Sequence, residues 1–274
     1  MLSQAAVEAF RRDGFLAPVD AFSAAEIREW RAALEAFEAG VPEQPQNRRK
    51  LHVLLPWARD IAEDPRILDA VEALIGPDIL VFTSTMFIKE PKSDAVAAWH
   101  QDATFFGLTP YEHVTAWVAL SDASVAAGCM RFVPGSHRRG QRRHVSGMVR
   151  GSINAGAQML GEAVDAAGAV YAPLEPGQFS LHHTLVIHDS APNHGADRRI
   201  GFGISYIPVH VRHTGTRPPS ASLVRGIDPF GHFDLEPDPR PLAPAQRTAA
   251  HERATRAHRA AYEEQMALHR RTFA

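Results

Sequence analysis

Hydrophobic positions along the chain follow two different periods, and the change falls near Asp78. Before it, "SQAAVEAFRRDGFLAPVDAFSAAEIREWRAALEAFEAG" spaces its apolar residues three and four apart, as one face of a helix requires. The segment predicts two amphipathic helices joined by a short turn. Ser3 caps the first. Ser23 and Glu26 form a capping box for the second, in which Ile27, Trp30, Leu34 and Phe37 share a face and which Gly40 closes. After the polar stretch "VPEQPQNRRK", "DPRILDAVEALIG" predicts another helix, capped by Asp64, started by Pro65 and ended by Gly76.

Beyond Asp78 the runs become short, β-branched and aromatic: "DILVFTSTMFIKEP", "AAWHQDATFFGL", "HVTAWVALSDAS", "GCMRFVPGSH", "GQFSLHHTLVIHDS" and "RRIGFGISYIPVHV". Clusters of Gly, Pro, Asp and Asn separate them, which is the signature of strands. No helix alternates with them, which argues against a parallel α/β sheet. The expected fold is mainly β with flanking α, a jelly roll with the N-terminal helices packed on one sheet. Residues 147–170, rich in Gly and Ala, read as an insertion or lid, 212–241 as loop, and roughly 243–270 as a polar helix. No repeat or sharp linker divides the chain. The expectation is one domain, 1–274, with helical support (1–77), a jelly-roll core (78–210, with an insertion near 140–170) and a C-terminal loop and helix (211–274).

Composition narrows the function. The 274 residues are 45% hydrophobic, with a formal net charge of −2. That is enough apolar content for a large core, and the dispersed Lys and Arg predict neither a nucleic-acid nor a membrane surface. Small-molecule chemistry is the expectation, in a monomer or homodimer. A single cysteine, Cys129, precludes an internal disulfide framework, and no run approaches the roughly 20 apolar residues of a membrane span. With no apolar signal-peptide core at the start, a cytoplasmic location is expected. Fifteen histidines, the commonest metal-ligand type, raise the prospect of a metal site.

That prospect centres on "AAWHQDATFFGL", where the period of a strand puts His100 and Asp102 on one face. A His-x-Asp triplet alone is weak, because the chain holds a second, His232 and Asp234, in a Pro- and Gly-rich loop followed by His251, His258 and His269 on a polar helix. The first copy gains weight from His188, at the end of another strand. Two histidines and a carboxylate form the facial triad of non-haem Fe(II) enzymes, leaving the opposite positions open. A chelating dicarboxylate then needs a cation for its far end, and "DRRIGFGISYIP" offers Arg198 and Arg199. Arg199 shares a face with Gly201, Gly203 and Ser205. Arg198 shares one with Ile200, Phe202, Ile204 and Tyr206. If the small-residue face lines the pocket, Arg199 is the anchor; the opposite orientation favours Arg198.

With these motifs the chain resembles the phytanoyl-CoA dioxygenase family of Fe(II)/2-oxoglutarate oxygenases, from "FRRDGFL" through "YIP" near 208. The resemblance implies a double-stranded β-helix of the cupin-like kind and a triad of His100, Asp102 and His188 that is both metal site and catalytic centre. It implies Ser190 and Arg199 as contacts to the 2-oxoglutarate carboxylate, with Met86, Gln101, Trp117 and, as a weaker match, Lys89 lining the co-substrate pocket. The implied reaction couples decarboxylation of 2-oxoglutarate by O2, giving succinate and CO2, to hydroxylation of a small molecule such as a secondary metabolite, an amino-acid derivative or another small acid. Asp102 matters here because related halogenases carry a small residue in its place. Asp189 departs from the glycine usual in the family and adds a charge beside the metal.

Other readings stand beside this one. Desaturation or cyclisation belongs to the same class, and a jelly roll that binds metal or ligand without redox chemistry would need neither Arg199 nor Ser190. His182 and His183 read as structural, His194 as a loop residue and the one rival to His188, and His137 in "PGSH" as part of a turn. Trp99, Phe105 and Phe106 read as core, and Cys129 as an inert buried thiol. Arg212, His213, Arg217, Arg225 and the edge "NRRKLH" could reach an anionic substrate, though solvated loop charge explains them as simply.

Overall fold

The computed structural model describes residues 2–41, 48–146, 151–154 and 158–272. Helix α1 (Gln4–Asp13) starts where the Ser3 hydroxyl accepts from the Ala6 N–H and ends at Gly14, whose φ of 85° places it in the left-handed region. Strand β1 (Phe15–Asp20) follows where the sequence predicted a turn between helices. "FLAPVD" extends because the edge of a neighbouring strand, Gln178–His183, is there to pair with it. Helix α2 (Ala24–Gly40) carries the full capping box of Ser23 and Glu26. Two helices not foreseen, α3 (Leu51–Leu54) and α4 (Pro56–Glu63), lead into α5 (Pro65–Ile75), whose cap is Asp64. Most of "VPEQPQNRRK" (42–47) lies outside the described residues.

The strands, in chain order, are β2 (Ile79–Lys89), β3 (Ala97–His100), β4 (Leu108–Thr109), β5 (Val114–Ala119), β6 (Met130–Phe132), β7 (His144–Ser146), β8 (Gln158–Leu160) and β9 (Val170–Ala172). They continue with β10 (Gln178–His183), β11 (His188–Ser190), β12 (Arg199–Pro208), β13 (Arg212–His213), β14 (Ser220–Arg225) and β15 (Asp234–Leu235), before helix α6 (Pro244–Thr272). A seven-stranded sheet runs β1-β10-β5-β12-β2-β14-β15, and a four-stranded sheet runs β3-β11-β6-β9. Pairing is antiparallel throughout both except between β14 and β15. The fold is a double-stranded β-helix with helices on the outer face of its larger sheet, as the sequence predicted.

Two expected strands are broken, and the breaks make the site. "AAWHQDATFFGL" leaves the sheet at His100 and turns through a 3-10 helix (Asp102–Phe105), so Asp102 does not share a strand face with His100. "GQFSLHHTLVIHDS" divides into β10 in the large sheet and β11 in the small one. His182 and His183 therefore sit on a different strand from His188, which begins its strand instead of ending it. The region 212–241, read as loop, supplies β13, β14 and β15, and β14 extends the large sheet against β2. Within the insertion, β7 and β8 pair with each other, while 147–150 and 155–157 lie outside the described residues.

One apolar layer fills the space between the helices and the large sheet. Ile27, Leu34, Ile61, Ile67 and Val71 meet Met86, Ile88, Val118, Phe179, Ile200, Phe202, Ile204 and Tyr206 there. A smaller layer between the sheets contains Trp117, Phe132, Leu174 and Val186. Because alternate residues of a strand face opposite ways, the even-numbered apolar residues of β12 commit Arg199, Gly201, Gly203 and Ser205 to the interior of the β-helix. No helix among the described residues is long and apolar enough to cross a membrane.

Candidate active site

Between the two sheets lies an open pocket lined by residues of both. His100 and His188 face each other across the β3–β11 pairing, with ring centroids 4.1 Å apart. Each ring is fixed through its Nδ1: that of His100 donates to the Ala98 carbonyl (2.8 Å) and that of His188 to the Val186 carbonyl (3.1 Å). A carbonyl only accepts, so both Nδ1 atoms carry protons and it is the two Nε2 atoms that turn to the pocket.

Asp102 completes the set. Its Oδ1 lies 3.6 Å from His100 Nε2 and 3.8 Å from His188 Nε2, while its Oδ2 accepts from His182 Nε2 (3.2 Å) and the Thr115 hydroxyl (3.4 Å). One carboxylate oxygen is held by the protein and the other is left to the pocket. The three ligand atoms lie within 4.8 Å of one another, the one such metal-ligating group among the described residues. Metal–ligand bonds of about 2.0–2.2 Å fit this set after a small contraction, and outward-held imidazoles with a second partner are how metal sites are built. Burial alone would raise the Asp102 carboxyl; the imidazoles of His188, His100 and His182 instead hold it well below its ordinary range. Burial and the neighbouring His100 lower His188 to about 3, which keeps it a neutral ligand.

Behind the triad the pocket is cationic. Arg199 and Lys89 are cross-strand partners, both essentially inaccessible to solvent. The Arg199 guanidinium donates to the Gly128 carbonyl (3.2 Å), stacks over Trp117 (5.0 Å to the ring centroid) and has no partner for its Nε. Lys89 donates to the Ser190 hydroxyl (2.7 Å) and to the Ser190 and Ala191 carbonyls. Burial lowers Arg199 to about 10, and burial with the Arg199 charge lowers Lys89 to about 6. Such shifts mark basic groups whose burial is not compensated by a carboxylate of their own. The Trp117 ring lies against Gly201, where a Cβ would come within 1.7 Å of it, so the glycine leaves the ring its place beside Arg199.

Of the nine predicted site residues, His100, Asp102, His188, Ser190, Arg199 and Trp117 line the pocket, and Lys89 backs it through Ser190. Met86 does not line it. Its place in β2 points it into the helix-facing core, because Thr83, Thr85 and Phe87 hold the inner face. Gln101 is also turned away: its side chain donates to the Gly140 and Leu185 carbonyls and accepts from the Arg142 N–H, tying down the peptide before Asp102. Arg198 points outward and pairs with Glu38 and Glu90. Asp189 is raised by burial and held by Arg131 across the β11–β6 pairing, which gives its charge a partner.

The remaining histidines separate clearly. His182 holds Asp102, the His183 ring lies tilted against that of His137 with centroids 5.2 Å apart, and His194 is exposed. Asp234 of the second triplet is exposed on β15. Neither Arg212, Arg217 nor Arg225 lines the pocket, and Arg225 pairs with Asp69 and Glu72. The sequence reading missed Thr83, Thr85, Thr115 and Phe87 on the pocket wall, together with Ile153 and Asn154 from the insertion. Thr115 was within reach of strand parity, being two residues from Trp117. The insertion residues carry no periodic signal.

Comparison with known proteins agrees with this geometry. The sequence profile of the phytanoyl-CoA dioxygenase (PhyH) family matches residues 10–201. A mouse phytanoyl-CoA dioxygenase domain-containing protein 1 is 33% identical over 171 residues, covering 60% of this chain and 57% of that protein, so the match spans little more than half the length of this curated relative. The structure of ThoJ, a non-heme monooxygenase, superposes with a TM-score of 0.83 at 34% identity over 95% of this chain and 98% of the other. That of CytC3 with Fe(II) and alpha-ketoglutarate gives 0.67 at 23% identity over 88% and 95%, a likeness of fold. With its profile match extending from the N-terminal helix into β12, across every predicted metal ligand and the buried arginine, the chain belongs to the phytanoyl-CoA dioxygenase family.

Proposed function

We propose that the protein is an Fe(II)- and 2-oxoglutarate-dependent oxygenase that oxidises a small molecule, by hydroxylation in the first instance. The observation that carries this reading is the polarity of the pocket. Three ligand atoms converge at one end, and a buried guanidinium, Arg199, with no carboxylate partner lies in the same pocket. That arrangement fits a dicarboxylate chelating a metal through one end and neutralising Arg199 with the other.

In this reading His100, Asp102 and His188 would hold Fe(II), which together with 2-oxoglutarate and O2 would supply the oxidising chemistry, with succinate and CO2 as co-products. Arg199 orients the far carboxylate, with Ser190, itself fixed by Lys89, beside it. Trp117 covers Arg199 and keeps water from the clamp. His182 and Thr115 hold Asp102 by its Oδ2 so that Oδ1 stays directed at the metal. A carboxylate at this position supports oxygen chemistry over halogenation. The substrate side of the pocket is walled by Phe106, Ile153, Asn154 and the hydroxyls of Thr83, Thr85 and Ser205. Thr83 Oγ1 is buried without a hydrogen-bond partner, so a substrate group that bonds to it gains what the free protein lacks.

The test is succinate formation from 2-oxoglutarate with Fe(II) and O2 over a small-molecule panel, with His100→Ala as control. Turnover by the native chain that vanishes in the variant is expected. Intact metal binding with no 2-oxoglutarate binding would instead assign the chain as a non-redox binding protein.

A further inference from the structure

The C-terminal helix lies beyond the part of the chain that the family profile matches, and most of its surface is polar. One face of it is nevertheless spent on the turn that carries Asp102. Tyr262 and His269 both meet Phe105 edge-on, with centroids 5.3 and 5.5 Å apart. Gln265 packs so closely on Gly107 that a Cβ there would come within 2.3 Å of it. The His258 ring lies tilted beside Phe106, with centroids 6.4 Å apart.

The polar link runs through His144, on β7 and almost wholly buried. Its Nε2 accepts the Gln101 backbone N–H (2.9 Å), so the ring proton sits on Nδ1, facing the Thr104 hydroxyl (2.9 Å) and the Arg142 carbonyl (3.0 Å). Thr104 in turn donates to the Gln101 carbonyl (3.2 Å). One imidazole thus grips the chain on both sides of Asp102. The backbone of His144 is itself met by the C-terminal helix: His269 Nε2 lies 3.1 Å from its nitrogen and 3.0 Å from its oxygen, and bonds to one of the two, as acceptor or as donor according to its tautomer.

We infer that His144, braced by His269 of the C-terminal helix, is a positioning residue of the metal site, setting where the Asp102 carboxylate stands relative to His100 and His188. The turn from Asp102 to Phe105 is short and lies outside both sheets, so β pairing does not fix it. The His144 clip, the Gln101 side chain and the helix behind them fix it instead, together with the Ala103 N–H, which donates to the Thr184 carbonyl (3.1 Å), and the bonds of His182 and Thr115 to the carboxylate. The inference rests on the proposal that the triad holds the metal.

Because the readout must be metal geometry rather than turnover, Co(II) serves as probe, in the full chain, by affinity titration and by its visible ligand-field spectrum. His144→Phe keeps the ring and removes the acceptor. His144→Gln keeps an acceptor in reach of the Gln101 N–H. Loss of partners behind metal ligands costs about 10- to 100-fold in affinity, so His144→Phe is expected to weaken Co(II) binding by roughly tenfold or more and to shift its bands, and His144→Gln to restore most of both. His269→Ala is expected to move both in the same direction by less. Wild-type affinity and spectrum in His144→Phe, or equal losses in the Phe and Gln variants that follow only their thermal midpoints, would overturn the inference. If the Phe variant does not fold, His144→Asn, whose amide is too short to reach Gln101, replaces it in the comparison with His144→Gln under the same criteria. A native chain that binds no Co(II) would instead overturn the metal-site reading.

Discussion

Two buried clusters in this protein join a carboxylate to histidine, and they differ in whether their polar atoms are spent. In the first, Glu236 accepts from Lys50, His52 and the hydroxyls of Ser220 and Ser222; His52 Nδ1 accepts from Ser84; and Lys50 also donates to the Phe82 and Ser220 carbonyls. Every charged atom has its partner within the chain, so the cluster locks α3 to β2 and to the strand pair β14–β15. In the second, Asp102 Oδ1 and two imidazole nitrogens face an open pocket, and the nearby Arg199 guanidinium has no carboxylate partner and an unbonded Nε. A satisfied buried network holds a fold together, whereas an unsatisfied one carries a cost that a ligand can relieve. The lesson is that function is to be sought where the hydrogen-bond accounts stay open.

The difference is broken most severely at its two carboxylates. Asp102→Ala should reduce 2-oxoglutarate turnover to background while leaving the chain folded, as circular dichroism and a succinate assay would record together. Glu236→Gln should do the reverse. It leaves the Lys50 ammonium buried and unpaired, at a cost of about 3–5 kcal/mol in urea denaturation, with 2-oxoglutarate affinity unchanged in the protein that remains folded. If Glu236→Gln instead spares stability and abolishes turnover, the comparison is misassigned.

Smaller changes sharpen it. Arg199→Ala removes charge-assisted hydrogen bonds worth about 1.5–3 kcal/mol, and should raise the KM for 2-oxoglutarate roughly ten- to a hundredfold. Arg198→Ala, on the outer face, should leave it within a factor of two or so of wild type by the weakness of exposed ion pairs. Gly201→Ala should mimic the Arg199 defect by displacing Trp117.

Acid should act on the closed cluster. Burial lowers His52 to about 4, so the stability gained by keeping it neutral is complete above pH 6.5 and drains away as the pH falls towards 4. Glu236 adds to this: Lys50 and His52 hold its carboxyl far below the ordinary range against the opposing effect of burial, so its contribution is present above pH 4.5 and lost below. Chemical-denaturation midpoints measured from pH 8 down to about pH 3 should fall first by the His52 contribution and, below pH 4.5, by that of Glu236 as well, and a His52→Gln variant should flatten the upper part of the curve. The smallest effect is expected at Asp189→Gly, which frees the quarter-exposed Arg131 and should change stability by less than about 1 kcal/mol.

Local rules made much of this legible. Ser3, the Ser23–Glu26 box and Asp64 cap helices as their sequence context requires, and strand parity on β12 left Arg199 with the small residues and Arg198 with the large ones. The errors share a cause. "FLAPVD" is a strand only because β10 offers it an edge, and Met86 and Gln101 were placed in the pocket by likeness to relatives while their own neighbours turn them away. His144 stood in a segment with no period at all, so nothing local distinguished it from the other histidines.

The sequence by itself determined the elements with local causes: capped helices, alternating strands, and a histidine and aspartate two residues apart that could share a ligand. It did not decide that the His100 copy becomes a site while the His232 copy does not, since spacing is the same in both. That was decided by the tertiary structure, which breaks the strand at Gln101 and brings His188 from the neighbouring strand to face His100. It also buries Arg199 at the far end of the same cavity. The physical reason is that metal and anion sites are made by convergence of atoms from distant parts of a chain, and only the packed sheets fix those distances.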